Sequence, residues 1–191
     1  MKNNIILIGF MGCGKSSVGR RLAKRLSFQL LDTDERIEKK EKKKISTIFA
    51  ENGEAHFRRL ETETVKELLG HTENTVISTG GGLPLREENG KLLQQLGFVV
   101  YLDVSKETVL KRLEKDTSRP LLQGPDKEKK VAELLEFRKP IYEYTAHITV
   151  NTNQRSFEEI IDEIVRNYEI MMTREKEKKE IENNEIKREN E

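Results

Sequence analysis

The sequence has little cysteine, histidine or tryptophan: its 191 residues include one Cys, three His and no Trp. The single cysteine, Cys13, cannot form an intrachain disulfide, and the three histidines are scattered without the spacing of metal ligands. These absences exclude a disulfide-stabilised fold and a structural zinc site. They favour a reducing compartment, and we expect the cytoplasm.

Long apolar runs are also missing. Residues 5–11 are mostly aliphatic, but the run is far shorter than the ~20 residues that a membrane-spanning helix needs. It also lacks the small-residue cleavage site of a signal peptide and continues directly into Gly-Lys-Ser-Ser. We therefore expect no membrane partner.

Charge of either sign is abundant but balanced, with 35 Lys and Arg against 34 Asp and Glu and a formal net charge of +1. A chain with this balance has no overall field that would attract nucleic acid or an anionic membrane. Selectivity for anions must therefore come from a local arrangement, and we expect no nucleic-acid partner.

Short aliphatic runs alternate with segments of helical periodicity. The predicted strands are residues 5–10, 29–32, 75–79, 98–103 and 147–150. Between them, apolar residues recur at three or four positions, which predicts helices. This alternation predicts an α/β fold with a parallel five-stranded sheet flanked by helices.

The last predicted helix has the clearest amphipathic pattern, behind a capping box of Ser156 and Glu159. Its apolar stripe consists of Phe157, Ile160, Ile161, Ile164, Val165 and Tyr168. Residues 173–191 are almost entirely Lys, Glu, Arg and Asn, with too little to bury to offset the entropy of ordering. We predict one domain over residues 1–172 and a charged tail over residues 173–191, either a frayed helix or disordered.

A phosphate-binding pattern follows the first predicted strand. Gly9, Gly14, Lys15 and Ser16 match G-x-x-x-x-G-K-[ST] between a strand and a helix, the context this motif requires. Glycines let backbone N–H groups wrap a phosphate, the lysine reaches the β and γ phosphates, and the serine hydroxyl ligates Mg²⁺. A glycine-rich turn with an exposed lysine is the plainer alternative. Cys13 is interpreted as a small filler of the loop rather than a nucleophile.

Two carboxylates close the second predicted strand. Asp32 and Asp34 are two positions apart, so they share a face of an extended segment. In open α/β sheets the ligand crevice lies at the carboxyl ends of strands, so both can face the phosphate loop. One suits the metal and the other a hydroxyl group. The alternative is an Asp-rich turn that caps a helix beginning near Glu35.

Three glycines and three arginines complete the set of candidate site residues. Three glycines end the third predicted strand, where a small ligand can approach the amide groups. Arg58 follows the break at Asn52-Gly53, Arg119 precedes Pro-Leu-Leu, and Arg138 begins Arg-Lys-Pro-Ile-Tyr. The planar fork of arginine suits carboxylates and phosphates, although in so charged a chain a single arginine is more often a surface ion pair.

Together these motifs resemble shikimate kinases, small P-loop kinases with a fold like that of nucleoside monophosphate kinases. The resemblance covers roughly residues 3–170 in the family's order. It is carried by Gly-Phe-Met-Gly-Cys-Gly-Lys-Ser-Ser-Val-Gly, Asp32-x-Asp34, Phe57-Arg58-x-x-Glu61, the triple glycine, Arg119-Pro-Leu-Leu and Arg138-x-Pro-x-Tyr142. It implies a P-loop kinase core with a substrate-binding region at about residues 33–61 and a mobile lid at about residues 112–125. The tail has no counterpart in the family pattern.

The resemblance also implies roles for individual residues. ATP would be bound by Gly12, Cys13, Gly14, Lys15, Ser16, Ser17, Arg112, Arg119 and Arg155. Shikimate would be bound by Asp34, Arg58, Gly80, Gly81, Gly82 and Arg138. The catalytic groups would be Lys15, Asp34 and Arg119. One Mg²⁺ ion would accompany ATP, held by Ser16 directly and by Asp32 through water.

The implied reaction transfers the γ-phosphoryl group of ATP to the 3-hydroxyl of shikimate, giving shikimate 3-phosphate and ADP on the way to chorismate and the aromatic amino acids. The family also implies a monomer. A gluconate or nucleoside monophosphate kinase would share the phosphate loop but has less need of two arginines matched to a carboxylate. A binding or regulatory module without turnover is the other alternative. The joint presence of the following residues argues against it: Lys15, Asp34, Arg58, Arg119 and Arg138.

Overall fold

A computed structural model of the chain describes residues 2–114 and 126–189, with side chains described as far as residue 182. Strands and helices alternate along these residues as the sequence predicts. In chain order the elements are β1 (Ile5–Ile8), α1 (Lys15–Leu26), β2 (Gln29–Asp32), α2 (Thr33–Glu41), α3 (Ile45–His71), β3 (Thr75–Ser78), a 3₁₀ turn (Leu83–Leu85), α4 (Glu87–Leu96), β4 (Phe98–Asp103), α5 (Lys106–Arg112), α6 (Lys127–Thr145), β5 (Ile148–Asn151) and α7 (Phe157–Glu189). All five strand predictions are confirmed to within two residues at each end. Among the described residues, no helix is long and apolar enough to cross a membrane.

The five strands form one parallel sheet in the order β2-β3-β1-β4-β5, which confirms the predicted fold class. β1 is the central strand, and the connections run to opposite sides of it: β3 and β2 lie on one side, β4 and β5 on the other. This reversal makes the carboxyl end of β1 a topological switch point, the usual place for a ligand crevice in such sheets. The loop that leaves β1 is the predicted phosphate loop.

The core lies on both faces of this sheet. All four residues of β1 are fully buried, which is why the strand is a continuous aliphatic run rather than an alternating one. α1 packs closely against the sheet at Gly19, where a Cβ would lie 3.2 Å from Leu30 and 3.4 Å from Leu7. Close packing here fixes the amino end of α1 beneath the phosphate loop.

The capping box of α7 is confirmed. The backbone N–H of Glu159 donates to Ser156 Oγ (3.2 Å), and the N–H of Ser156 donates back to Glu159 Oε2 (2.8 Å). Behind it, α7 packs on α1, β4 and β5, and Ile164 is fully buried. The helix continues without a break to Glu189. The division into a domain ending at residue 172 and a separate tail stays a prediction.

Asn4 ties together the amino-terminal edge of the sheet. Its side-chain amide donates to the carbonyl oxygens of Thr72 and Leu96, both at 2.9 Å, and its Oδ1 accepts from the N–H of Thr75 at 3.1 Å. The residue is fully buried. A Cβ at position 97 would overlap the Asn4 backbone, so this position requires glycine. Asn4 therefore links the ends of α3 and α4 to the start of β3.

We expect Asn4→Ala to lower the free energy of unfolding by about 2–3 kcal/mol, because three buried backbone groups lose their partner at once. Urea unfolding followed by circular dichroism measures this loss. Asn3→Ala is the matched control, since the neighbouring Asn3 is exposed. Equal effects of the two substitutions would contradict the linking role of Asn4.

Candidate active site

A cleft of about 470 Å³ opens at the carboxyl ends of β1, β2 and β3, where the sequence motifs converge. Most of the predicted site residues line it. These are Gly12, Cys13, Gly14, Lys15, Ser16, Ser17, Asp32, Asp34, Gly80, Gly81, Arg112 and Arg155. The described residues predicted for ATP and three of those predicted for the acceptor therefore share one cavity, whereas Arg58, Gly82 and Arg138 are not among its lining residues.

The phosphate loop has the backbone that its glycines permit. Gly9, Gly12 and Gly14 have φ angles of 140°, 77° and 105°, in the region that disfavours side chains. α1 begins directly after the loop with no side-chain cap, so its positive end faces the cleft. Lys15 Nζ donates to the carbonyl oxygens of Gly9 (2.8 Å) and Phe10 (3.0 Å). The loop thus presents a lysine and a helix amino terminus to an anion.

Cys13 lies inside this loop. It is buried, and its Sγ is 3.6 Å from Lys15 Nζ. The same sulfur is 3.0 Å from the position that a Cβ at Gly9 would take. A buried sulfur packed against the loop fits the interpretation of Cys13 as a small filler.

Asp32 and Asp34 lie where β2 passes into α2. Asp32 Oδ1 accepts from the N–H groups of Asp34 (3.0 Å) and Glu35 (3.4 Å), so the capping interpretation of Asp32 is confirmed. Capping and a place in the cleft are compatible, because the same residue also lines the cavity. Thr33 Oγ1 accepts from the N–H of Gly80 (3.0 Å), and a Cβ at Gly80 would crowd Asp34 Oδ1. The start of α2 and the end of β3 therefore hold each other in place.

Arg58 lies on α3 beyond a break. Gly53 has non-helical φ and ψ angles of 76° and 171°, which confirms the predicted interruption at Asn52-Gly53. Arg58 Nη1 donates to Glu61 Oε2 (2.8 Å), while Nη2 and Nε donate to Glu54 Oε1 (2.8 and 3.2 Å). A Cβ at Gly82 would overlap the guanidinium. Arg58 is therefore fixed by two carboxylates of its own helix and lies against the glycine turn, residues 80–82.

Glu61 belongs to the motif around Arg58, but its part in the site was not predicted. It is fully buried, and its Oε1 has no hydrogen-bond partner among the described residues. Burial raises the pKa of Glu61 to about 7, although the adjacent Arg58 opposes the rise and Asp34 adds to it. Glu61 follows Arg58 by three positions, which places the two side chains on one face of the helix. This spacing was the only sequence signal that Glu61 belongs to the site. The depth of burial was not readable from that spacing.

Arg138 lies on α6 and is not among the residues that line the cleft. It is only 6% exposed, and its Nε is buried without a hydrogen-bond partner among the described residues. Its guanidinium carbon lies 5.6 Å from the centre of the Phe10 ring, next to the phosphate loop. No carboxylate of residues 2–114 or 126–182 forms an ion pair with it. A buried cation of this kind is costly unless an anion reaches it.

The remaining predicted arginines differ in their surroundings. Arg112 Nη1 donates to Gly12 O (2.8 Å), so this side chain lies across the phosphate loop. Arg155 donates to the carbonyl oxygens of Asn151 (3.2 Å) and Glu159 (3.0 Å) and pairs with Glu163, although it also lines the cleft. Its predicted contact with ATP stays a prediction. Arg119 lies outside the described residues, as do residues 115–125 of the lid predicted at about residues 112–125.

Comparisons with known proteins point to one family. The shikimate kinase family model matches residues 11–169. The shikimate kinase of Thermodesulfovibrio yellowstonii is 44% identical over 166 residues, which are 87% of this chain and 95% of that protein. That of Persephonella marina is 46% identical, covering 85% of this chain and 96% of that protein. Among solved structures, the shikimate kinase from Acinetobacter baumannii in complex with shikimate is similar with a TM-score of 0.82 and 38% identity, covering 91% of this chain and 95% of that one.

The raised pKa of Glu61 predicts how stability depends on pH. Between the ordinary value of 4.5 and about 7 the native state binds more protons than the unfolded state, so the free energy of unfolding falls as pH rises through this window. Glu61→Gln removes this component. We expect the wild type to lose about 2 kcal/mol more than the variant between about pH 5 and about pH 7.5.

Urea unfolding at both pH values measures the difference. Glu54→Gln is the control, because Glu54 binds the same guanidinium from an exposed position, and it should keep the wild-type pH dependence. A pH dependence unchanged in Glu61→Gln would show that Glu61 does not hold a proton in the native state.

Proposed function

Because the chain belongs to the shikimate kinase family, we propose that its cleft transfers the γ-phosphoryl group of ATP to the 3-hydroxyl of shikimate. The products are shikimate 3-phosphate and ADP, a step of aromatic amino acid biosynthesis. The observation that carries this proposal is the buried Arg138, which has no carboxylate partner among the described residues and lies beside a phosphate loop. A carboxylate of the acceptor supplies the missing anion.

The ATP side of the proposal rests on the phosphate loop. Backbone N–H groups of the loop and the amino end of α1 bind the phosphates, and Lys15 neutralises the β and γ phosphates. Lys15 Nζ already lies over the loop, bound to the carbonyl oxygens of Gly9 and Phe10. Arg112 lies across the loop and is assigned to the nucleotide.

The acceptor side rests on the glycine turn. Gly80 lies against Asp34 and Gly82 lies against Arg58, so the turn brings a carboxylate and a guanidinium to one surface. Asp34 accepts a hydrogen bond from the attacking hydroxyl group, and Arg58 and Arg138 bind the carboxylate of shikimate. The N–H groups of the turn add backbone contacts. Two arginines suited to a carboxylate distinguish shikimate from a nucleoside monophosphate, whose anion is a phosphate, whereas gluconate also carries a carboxylate and is separated by experiment.

Ser16 and Asp32 fit one Mg²⁺ ion that arrives with ATP. Both offer oxygen atoms to the same cleft, and Mg²⁺ prefers oxygen ligands, keeping waters and phosphate oxygens for the rest of its shell. In the described part of the chain, no group of three or more His, Cys, Asp or Glu could hold a metal ion by itself. This suits an ion held largely by the nucleotide. When bound, such an ion neutralises charge on the β and γ phosphates.

The protein acts mainly by positioning. A bond forms between the 3-hydroxyl oxygen and the γ phosphorus while the bond from that phosphorus to the β–γ bridging oxygen breaks. The transition state is loose, so orientation and charge neutralisation contribute more to the rate than proton removal. The hydroxyl proton passes to Asp34, which acts as a general base, or Asp34 only orients the hydroxyl. Arg119 is assigned to the transferring phosphoryl group from the resemblance.

We also propose a monomer in the cytoplasm. The monomer is what the family resemblance implies. The single buried cysteine and the balanced charge support a reducing compartment without nucleic-acid partners.

An acceptor comparison tests the reaction itself. We expect ADP release from ATP and Mg²⁺ to depend on shikimate and to match the formation of a phosphorylated shikimate, while gluconate, AMP and buffer alone give only background release. A coupled spectrophotometric assay with mass spectrometry of the product measures both. ADP release that depends on gluconate or AMP would identify that compound, rather than shikimate, as the acceptor. ATP binding without any turnover would favour a binding module.

Asp34→Asn should lower kcat by about 100-fold or more while the Kd of ATP stays within about twofold, because Asp34 faces the acceptor and lies outside the phosphate loop. Steady-state kinetics and calorimetric ATP titration measure the two quantities. Glu35→Gln is the matched control on the exposed side of the same turn of α2. A turnover near that of the wild type would reject the role of Asp34 in the reaction.

A further inference from the structure

The phenol of Tyr142 links α6 to the glycine turn. Tyr142 lies on α6, one turn after Arg138, and is fully buried. Its hydroxyl donates to the carbonyl oxygen of Gly81 at 2.6 Å. Burial raises the pKa of Tyr142 to about 12, and the positive charge of Arg138 opposes the rise. The phenol therefore remains a neutral donor at neutral pH.

Gly81 is also the residue of the glycine turn that lies against the phosphate loop. A Cβ at Gly81 would be 3.4 Å from Gly9 O and 3.6 Å from Met11 N, so this α-carbon is in close contact with the loop backbone. Tyr142 binds the carbonyl of the same residue. These two contacts of Gly81 set how far the turn lies from the phosphates.

We propose that Tyr142 is a positioning residue for the acceptor: its hydroxyl fixes the Gly81 carbonyl to α6, the helix that carries Arg138, so that the turn and the carboxylate-binding arginine face shikimate in one arrangement. This inference rests on the proposed function. Tyr142 does not touch the reacting atoms and acts through Gly81.

The neighbouring tyrosine provides a matched comparison. Tyr101 packs against Tyr142 with ring centres 5.1 Å apart, and it is almost fully buried, at 1% exposure. Its hydroxyl donates to Asp103 Oδ1 (2.9 Å) rather than to the glycine turn. Removing either hydroxyl therefore deletes one buried hydrogen bond from the same aromatic pair, but only Tyr142 contacts the turn.

Tyr142→Phe should raise the KM for shikimate about fivefold, as the loss of one hydrogen bond that orients the acceptor site predicts. The KM for ATP should stay within about twofold, because the phosphate loop keeps its own contacts. Tyr101→Phe should leave both KM values unchanged. Melting temperatures measure the stability that each variant loses. If the two losses are comparable, a KM change confined to Tyr142→Phe is not explained by destabilisation.

Two kinetic outcomes overturn the inference. Equal effects of the two variants on the shikimate KM reduce Tyr142 to a structural residue, and a Tyr142→Phe variant with the wild-type KM shows that the Gly81 contact does not position the acceptor. A wild type without shikimate-dependent ADP release is a separate result, since it rejects the proposed function itself.

A second measurement uses the wild-type protein and needs no variant. With tyrosine labelled at ¹³Cζ, the NMR signal of Tyr142 should move when shikimate saturates the site, and the signal of Tyr101 should move less. A Tyr142 signal that stays in place under saturating shikimate contradicts the inference. If shikimate does not bind at all, calorimetry shows this directly and the inference falls with the proposed acceptor.

Discussion

The close approach of two glycine-rich segments, the phosphate loop after β1 and the glycine turn after β3, sets the geometry of this site. β1 and β3 are neighbours in the sheet, and Thr79 extends their pairing by donating its N–H and its hydroxyl to Leu7 O, both at 3.1 Å. The two segments consequently leave the sheet side by side. The two backbones are in van der Waals contact, since the Cβ position of Gly81 lies 3.4 Å from Gly9 O and 3.6 Å from Met11 N. A phosphate donor and an acceptor can then meet without a large movement of the sheet.

Local features of this fold were readable from the sequence because they depend on neighbours in the chain. The strands are continuous aliphatic runs since a parallel sheet is covered on both faces, and the capping box of Ser156 and Glu159 needs only residues three apart. Gly53 interrupts α3 as expected, because its φ angle of 76° suits glycine. Asp32 shows the limit of such reading. Its capping and metal interpretations looked like alternatives, yet a single carboxylate can cap α2 and still line the cleft.

Features that depend on distant contacts were not readable. Tyr142 reaches Gly81 across 61 residues, and no local pattern specifies that pairing. The burial of Glu61 depends on how α3 packs against the glycine turn and α2, so spacing alone identified its partner Arg58 but not its raised pKa. The ion pair of Arg155 with Glu163 on α7 was likewise not readable, and the ATP contact assigned to Arg155 by resemblance stays a prediction.

Under the proposed function, the buried Arg138 accounts for an acceptor that carries a carboxylate. Most ion pairs among the described residues involve exposed side chains and contribute little to stability. Arg138 differs: desolvating its guanidinium costs free energy that no carboxylate of the described residues offsets, whereas the buried Glu61 is paired with Arg58. An acceptor that brings its own carboxylate recovers part of that cost at Arg138, whereas a neutral acceptor leaves the guanidinium without an anion. Selectivity for the acceptor then arises from the free energy of desolvating Arg138, which folding has already expended. The phosphate loop is common to many kinases and need not contribute to this selectivity.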